Sequence, residues 1–139
     1  MRAVLDTVVY VRAMINRESR WGRLIFELSE RYTVVFSPPI IKEILGVLNR
    51  PELRQRFPQI TDVTLFELIH LFGTAKVVQP VESIAICRDP KDDKFFECAV
   101  AAGANYIVSE DRDILDIGEF RGVRTLTAGQ FLAVLDERR

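Results

Sequence analysis

The chain has 139 residues, with 19 Lys and Arg against 20 Asp and Glu, a net charge of -1, 48% hydrophobic and 28% charged residues. The near-neutral balance excludes a domain that holds nucleic acid by overall positive charge, and the apolar content excludes a disordered chain; the length suits one domain able to bury a respectable core. No apolar run reaches the roughly 20 residues of a membrane span. Asp6 interrupts "MRAVLDTVVYVRAM" where a signal peptide would be purely apolar, so a cytoplasmic protein is expected.

The predicted elements alternate. "RAVLDTVVYV" opens with a β-branched run, read as a strand of about four residues ending near Asp6. Residues 19 to 31 place Trp21, Ile25 and Leu28 at helical spacing, with Ser19 as cap. "YTVVFS", residues 32 to 37, is a second strand, and Pro38 and Pro39 lead into a helix with Ile40, Ile41, Ile44, Leu45 and Leu48 on one face. Residues 61 to 72 form a helix capped by Thr61 or Asp62, and "AKVVQPV" a third strand. A helix over about 91 to 102 precedes a fourth strand, "NYIVS". "VRTLT" is a fifth, and Thr127 caps a last amphipathic helix. Strands separated by helices predict an α/β fold: one domain over residues 1 to 139 with a mostly parallel sheet of about four or five strands and helices on both faces. Ligand sites in such sheets lie outside the carboxyl ends of the strands.

Carboxylates gather at those ends. Asp6 closes the first strand and Asp111 follows "NYIVS" by two residues, so both emerge at the carboxyl edge. Glu43 lies beside the apolar face of its helix, near the core boundary. Asp92 and Asp93 fall at a helix N-terminus, where an anion and a cap are favoured on structural grounds alone. Helical spacing puts Asp92 on the stripe of Phe95, Phe96 and Ala99 and Asp93 at its edge, which favours Asp92 as a site residue with Asp93 as the alternative. Asp89, before Pro90, reads as a turn or cap. Glu97, Glu110 and Asp113 read as solvated surface, with Asp113 close enough to support the site. His70, the single histidine, reads as a partly buried helix residue, and Cys87 and Cys98, which form no CxxC or Cys/His cluster, as reduced and partly buried thiols.

"VLDTVVYV" with Asp6 and Thr7, "VVFSPPIIKEIL" with Glu43, and "RDPKDDKFFECAVAAGANYIVSEDRDIL" with Asp92, Ser109 and Asp111 resemble the PIN-domain family, and more narrowly the VapC-like toxin components of toxin–antitoxin systems. The resemblance covers nearly the whole chain in order and spacing. It implies a metal-dependent ribonuclease in which Asp6, Glu43, Asp92 and Asp111 bind Mg²⁺ or Mn²⁺, supported by Thr7, Ser109, Asp93 and Asp113. It also implies an RNA substrate, an antitoxin partner and a homodimer. Many relatives carry Asn where this chain has Val8, so any polar role of that side chain is missing here.

The residue chemistry agrees with that expectation. A ring of acids with few other ligands suits a hard cation such as Mg²⁺ better than zinc, which would want His or Cys. No nucleophile-and-base pair supports a serine or cysteine hydrolase. Arg50, Arg54 and Arg56 form a basic cluster that reads equally as a solvated face or as phosphate contacts, and Arg88, Lys91, Lys94 and Arg112 interleave with the acids. A receiver-like phosphoacceptor would need an Asp ending a middle strand and a Lys ending a late one, and "VVFS" and "VRTLT" offer neither. A catalytically silent binding protein of the same fold stays open as the alternative.

Overall fold

Six strands make one sheet among the residues described by the computed structural model, 1 to 138. In chain order they are β1 (Arg2–Leu5), β2 (Thr33–Phe36), β3 (Lys76–Val77), β4 (Tyr106–Val108), β5 (Glu119–Phe120) and β6 (Val123–Leu126). Their spatial order is β3-β2-β1-β4-β6-β5. Every neighbouring pair is parallel except β5 with β6. The helices are α1 (Thr7–Ile15), α2 (Arg20–Gly22), α3 (Pro38–Leu48), α4 (Pro51–Arg56), α5 (Asp62–Phe72), α6 (Asp93–Ala102), α7 (Arg112–Leu115) and α8 (Ala128–Glu137). The mostly parallel α/β architecture is as expected, with one strand more than the upper expectation.

The extra strand comes from a tight hairpin. Arg121 and Gly122 both take positive φ, 49° and 81°, the requirement of the turn that matches the twist of paired strands. β5, two residues long, is too short to show a period in sequence, whereas β6 is the strand read from "VRTLT". The third strand is confined to Lys76–Val77, shorter than "AKVVQPV" suggested.

Residues 7 to 15 depart most from local propensity. Val8, Val9, Tyr10 and Val11 favour strand, yet they lie in α1. Burial decides the outcome: Thr7, Val9, Tyr10, Ala13 and Met14 face inward at helical spacing. Tyr10 packs on Phe36 and Phe72 at ring separations of 5.7 and 6.2 Å. The helix expected over residues 19 to 31 is shorter and irregular. Ser19 accepts from the Gly22 N–H as anticipated, but a π-turn at Arg23–Glu27 follows and the segment ends at Leu28. Gly22 permits this crossing, because a Cβ there would lie 2.1 Å from the Arg17 carbonyl oxygen.

The other caps follow the sequence. Thr61 and Thr127 each close a capping box at the start of α5 and α8. Gly103 ends α6 in the left-handed region. α6 packs across β1, β2 and β4 through the buried Phe95, Phe96, Cys98 and Ala99. Truncating a ring such as Phe96 in this layer would cost about 3–5 kcal/mol, which is why the N-terminal end of α6 is firmly placed against the sheet edge.

Candidate active site

The chain leaves β1 toward β2 on one side of the sheet and returns to β4 on the other, so strand order reverses between β1 and β4. A crevice at the carboxyl ends of two such strands follows from their diverging connections. Asp6 follows β1 directly, and its N–H donates to the Val108 carbonyl of β4 at 2.9 Å. The Ser109 hydroxyl donates to Asp6 Oδ2 at 2.8 Å and accepts from the Asp111 N–H at 3.0 Å. Asp111 then caps α7, accepting from the Asp113 N–H at 2.9 Å. Thus Asp6, Ser109, Asp111 and Asp113 are one hydrogen-bonded run across the two strand ends.

Glu43 arrives from α3 and Asp92 from the 3₁₀ turn (Pro90–Asp92) that precedes α6. The Thr7 hydroxyl donates to Glu43 Oε2, and the Lys94 ammonium pairs with Glu43 Oε1 at 2.8 Å. All four carboxylates share one electrostatic field. Burial is the largest cause raising the pKa of Asp6, with Glu43 and Asp111 adding repulsion. The Ser109 hydroxyl pulls it back down, as does the Val8 N–H, which approaches without making a full capping bond. Asp92 is pushed up to about 6, first by burial and then by Asp111, Asp6 and Asp89, with Lys94 opposing.

Asp92 and Asp93 divide in a way helical spacing did not foresee. Asp93 is the buried one, 9% exposed, and its Oδ1 accepts from the Ile86 and Cys87 N–H groups at 3.1 and 2.9 Å. It pins the loop that runs into the turn. Asp92, only partly buried, lies in the field of Asp111 and Asp6. The inward-stripe argument for Asp92 therefore fails, because residue 92 precedes the regular helix and belongs to the tighter turn. Its position toward the other acids has a different origin.

Other residues are corrected by the structure. Glu110 is a structural tie rather than solvated surface: its Oε1 accepts from Trp21 Nε1 at 3.1 Å and from the Ala128 N–H at 3.0 Å. Glu97 likewise accepts from the Ile84 N–H. His70 is exposed on α5 rather than partly buried. Arg54 bonds Asp62, Asn49 and the Leu48 carbonyl, which fastens α4 to its neighbours and removes it from any phosphate-binding cluster. Arg88 pairs with Asp113 at 3.3 Å at the rim. Asp89 accepts from the Lys91 N–H, the turn role expected for it. Cys87 and Cys98 are free thiols, Cys98 fully buried. Burial pushes each thiol up to about 12. The role of Lys94 inside the cluster was missed, since four cations interleave with these acids in sequence and only tertiary packing selects one.

A mostly parallel sheet with Asp6 and Asp111 joined through Ser109 outside its strand reversal defines an α/β protein with acids at its carboxyl edge. The chain belongs to the PIN-domain family, whose model, described as "PIN domain", matches residues 2–113. The uncharacterised protein MJ1680 of Methanocaldococcus jannaschii is 28% identical over 119 residues, 84% of this chain and 75% of that protein. The structure of VapBC2 from Rickettsia felis bound to a DNA fragment from their promoter covers 91% of this chain and 98% of its own, with a TM-score of 0.58 and 12% identity. PAE2754 from Pyrobaculum aerophilum covers 99% of both chains, with a TM-score of 0.52 and 13% identity. At those identities the two structures bear on the fold.

Proposed function

We propose that this protein is a Mg²⁺- or Mn²⁺-dependent ribonuclease, the toxin of a toxin–antitoxin pair. The reading is supported by the link of Asp6 to Asp111 through Ser109 across two strand ends, with the charges of Glu43 and Asp111 acting on Asp6 and those of Asp111 and Asp6 on Asp92, at the cost of mutual repulsion. Stability is small, on the order of 5–15 kcal/mol, and repulsion subtracts from it. A compensating cation gives that arrangement a purpose.

The donor set fits a hard divalent ion. Among the described residues no group of three or more His, Cys, Asp or Glu side chains forms a ready metal cage. Mg²⁺ does not demand one: it keeps several waters and takes one or two carboxylates. When bound, such an ion supplies Lewis-acid polarisation of a phosphodiester and acidification of a water. The chain's own residues do the positioning. Ser109 fixes the Asp6 carboxylate between β1 and β4, and the Asp111 carboxylate is oriented by its bond at the start of α7. Asp92 makes no hydrogen bond capping α6, and its charge is opposed by those of Asp111 and Asp6. Arg112 is exposed beside Asp111 at the rim, where a phosphate backbone would pass.

A protein partner is supported by the outer face of α5. Val63 is 68% and Phe66 69% exposed, and Ile69 adjoins them, so this helix is apolar on both faces. The last helix, by contrast, buries its apolar Phe131 and Leu135 in the core. An antitoxin or a second copy of the chain suits the α5 face, and the VapBC2 assembly of similar fold supports the antitoxin. No helix among the described residues is long and apolar enough to cross a membrane, and a cytoplasmic location fits the proposed substrate. Cleavage of mixed RNA with Mg²⁺ or Mn²⁺, abolished by EDTA and by Asp6→Asn, is the expected result. Equal cleavage by the variant, or none by wild type, would leave the silent binding protein as the better account.

A further inference from the structure

Both oxygens of the Glu43 carboxylate are taken within the protein. Oε2 accepts from the Thr7 hydroxyl and Oε1 pairs with Lys94 Nζ at 2.8 Å. The Lys94 side chain is only 16% exposed, less than the 30% of Glu43. Its ammonium also donates to the Lys91 carbonyl and lies 5.1 Å from the centre of the Phe95 ring. The contacts of Lys94 thus come from its own helix, from the turn before it and from α3, which gives the ammonium a fixed seat. The opposite end of the crevice is different. There the Ser109 hydroxyl donates to Asp6 Oδ2 at 2.8 Å and accepts from the Asp111 N–H at 3.0 Å, which holds the two aspartates side by side across the strand ends. Asp111 caps α7 through Oδ1, and among the described residues it forms no ion pair.

Resting on the ribonuclease reading, we propose that Lys94 is the resident counter-ion of Glu43 and a positioning residue that restricts the site to one divalent ion, held at the Asp6 and Asp111 end. A divalent ion that took Glu43 directly would have to displace a desolvated ammonium and break two hydrogen-bonded contacts, and its charge would stand against that ammonium in a partly water-excluded setting. An ion at the other end meets carboxylates whose mutual repulsion it relieves. Glu43 then acts through Thr7 and Lys94: it locks the start of α1 and the first turn of α6 on either side of the crevice. This separates Glu43 in role from Asp6 and Asp111, with which the sequence groups it.

The test counts ions rather than turnover. Mn²⁺ binding is followed by electron paramagnetic resonance and by calorimetry on wild type, Lys94→Met, Lys94→Arg, Asp111→Asn and the charge-conserving double variant Glu43→Gln with Lys94→Met. Circular dichroism melts show which variants are folded. Wild type and Lys94→Arg are expected to bind one Mn²⁺ per chain. The double variant is expected to keep that ion within about threefold in affinity, since net charge is conserved and no ligand is lost. Asp111→Asn loses at least about tenfold. Lys94→Met, which frees Glu43, admits a second ion. Should Lys94→Met fail to fold, the double variant, with no unpaired charge left, carries the comparison. Loss in the double variant equal to that of Asp111→Asn, or a single ion in folded Lys94→Met, would overturn the inference and leave the ribonuclease reading intact. No Mn²⁺ binding to wild type would overturn both.

Discussion

Ser109 reaches across 103 residues of sequence to donate its hydroxyl to Asp6 at 2.8 Å, and so joins the ends of the two strands between which the sheet reverses. The bond does more than fasten β4 to β1. It is the largest of the influences that lower the pKa of the buried Asp6 carboxyl against the rise caused by burial. Ser109→Ala should therefore cost about 1–3 kcal/mol, the penalty for removing one partner of a buried polar pair. It should also raise the Asp6 pKa further and move the acidic limb of the cleavage profile to higher pH. Urea unfolding and pH–rate profiles of the variant check the two effects separately.

Asp92 and Asp93 should separate cleanly. Asp93→Ala leaves the Ile86 and Cys87 N–H groups without their acceptor, and a loss of about 1–3 kcal/mol in urea unfolding is expected. Cleavage by the folded fraction should largely survive. Asp92→Asn should do the opposite, abolishing cleavage without loss of stability. Cleavage lost in Asp93→Ala under conditions where it is folded would reassign the role.

The acid cluster should make the metal-free protein less stable as pH rises. The folded Asp92 carboxyl titrates at about 6 against an ordinary 3.8, so between those values the folded state holds a proton that the unfolded chain has released. Stability then falls with increasing pH across this interval and the penalty is complete above it. Asp6, whose pKa is also raised, acts in the same direction. Urea midpoints measured in EDTA across that interval should show the decline for wild type, and Asp92→Asn should flatten it. A midpoint that climbs with pH and is indifferent to the substitution would contradict the repulsion.

The apolar outer face of α5 predicts association without a role in folding. Phe66→Ser removes a ring that is 69% exposed, so its effect on stability should stay within about 0.5 kcal/mol. Light scattering should show a smaller particle for the variant than for wild type at equal concentration, or weaker capture of a purified antitoxin. Unchanged mass together with unchanged antitoxin capture would remove α5 from the partner surface.

The legibility of these features in sequence follows their physical range. Asp6 and Asp111 were readable because β-branched runs announce a strand and its end, and α/β connectivity then places the next residues at one edge. Caps such as Ser19, Thr61 and Thr127 were readable because capping is local. The helix over Thr7–Ile15 was hidden by residues whose local preference is strand and whose helical state is set by packing of Tyr10 on Phe36 and Phe72. The burial of Asp93 rather than Asp92 turns on a 3₁₀ turn of 3 residues, Pro90–Asp92, too short for periodicity to show. The Lys94–Glu43 pair is purely tertiary: the partners lie on different helices, and nothing in either local stretch selects them.

Thermal melts across a metal titration test the central claim most directly, that these carboxylates are gathered to hold a cation. Without metal, Asp6→Asn and Asp111→Asn should melt at or above the wild-type temperature, since each removes a charge from a repulsive cluster. Wild type should then gain stability on addition of Mg²⁺ or Mn²⁺, about 2.7 kcal/mol at a hundredfold excess over Kd, and both variants should gain less. If the EDTA-treated variants are clearly less stable than wild type and all three proteins respond equally to metal, the acids are caps and hydrogen-bond partners, and the account of a cation site is wrong.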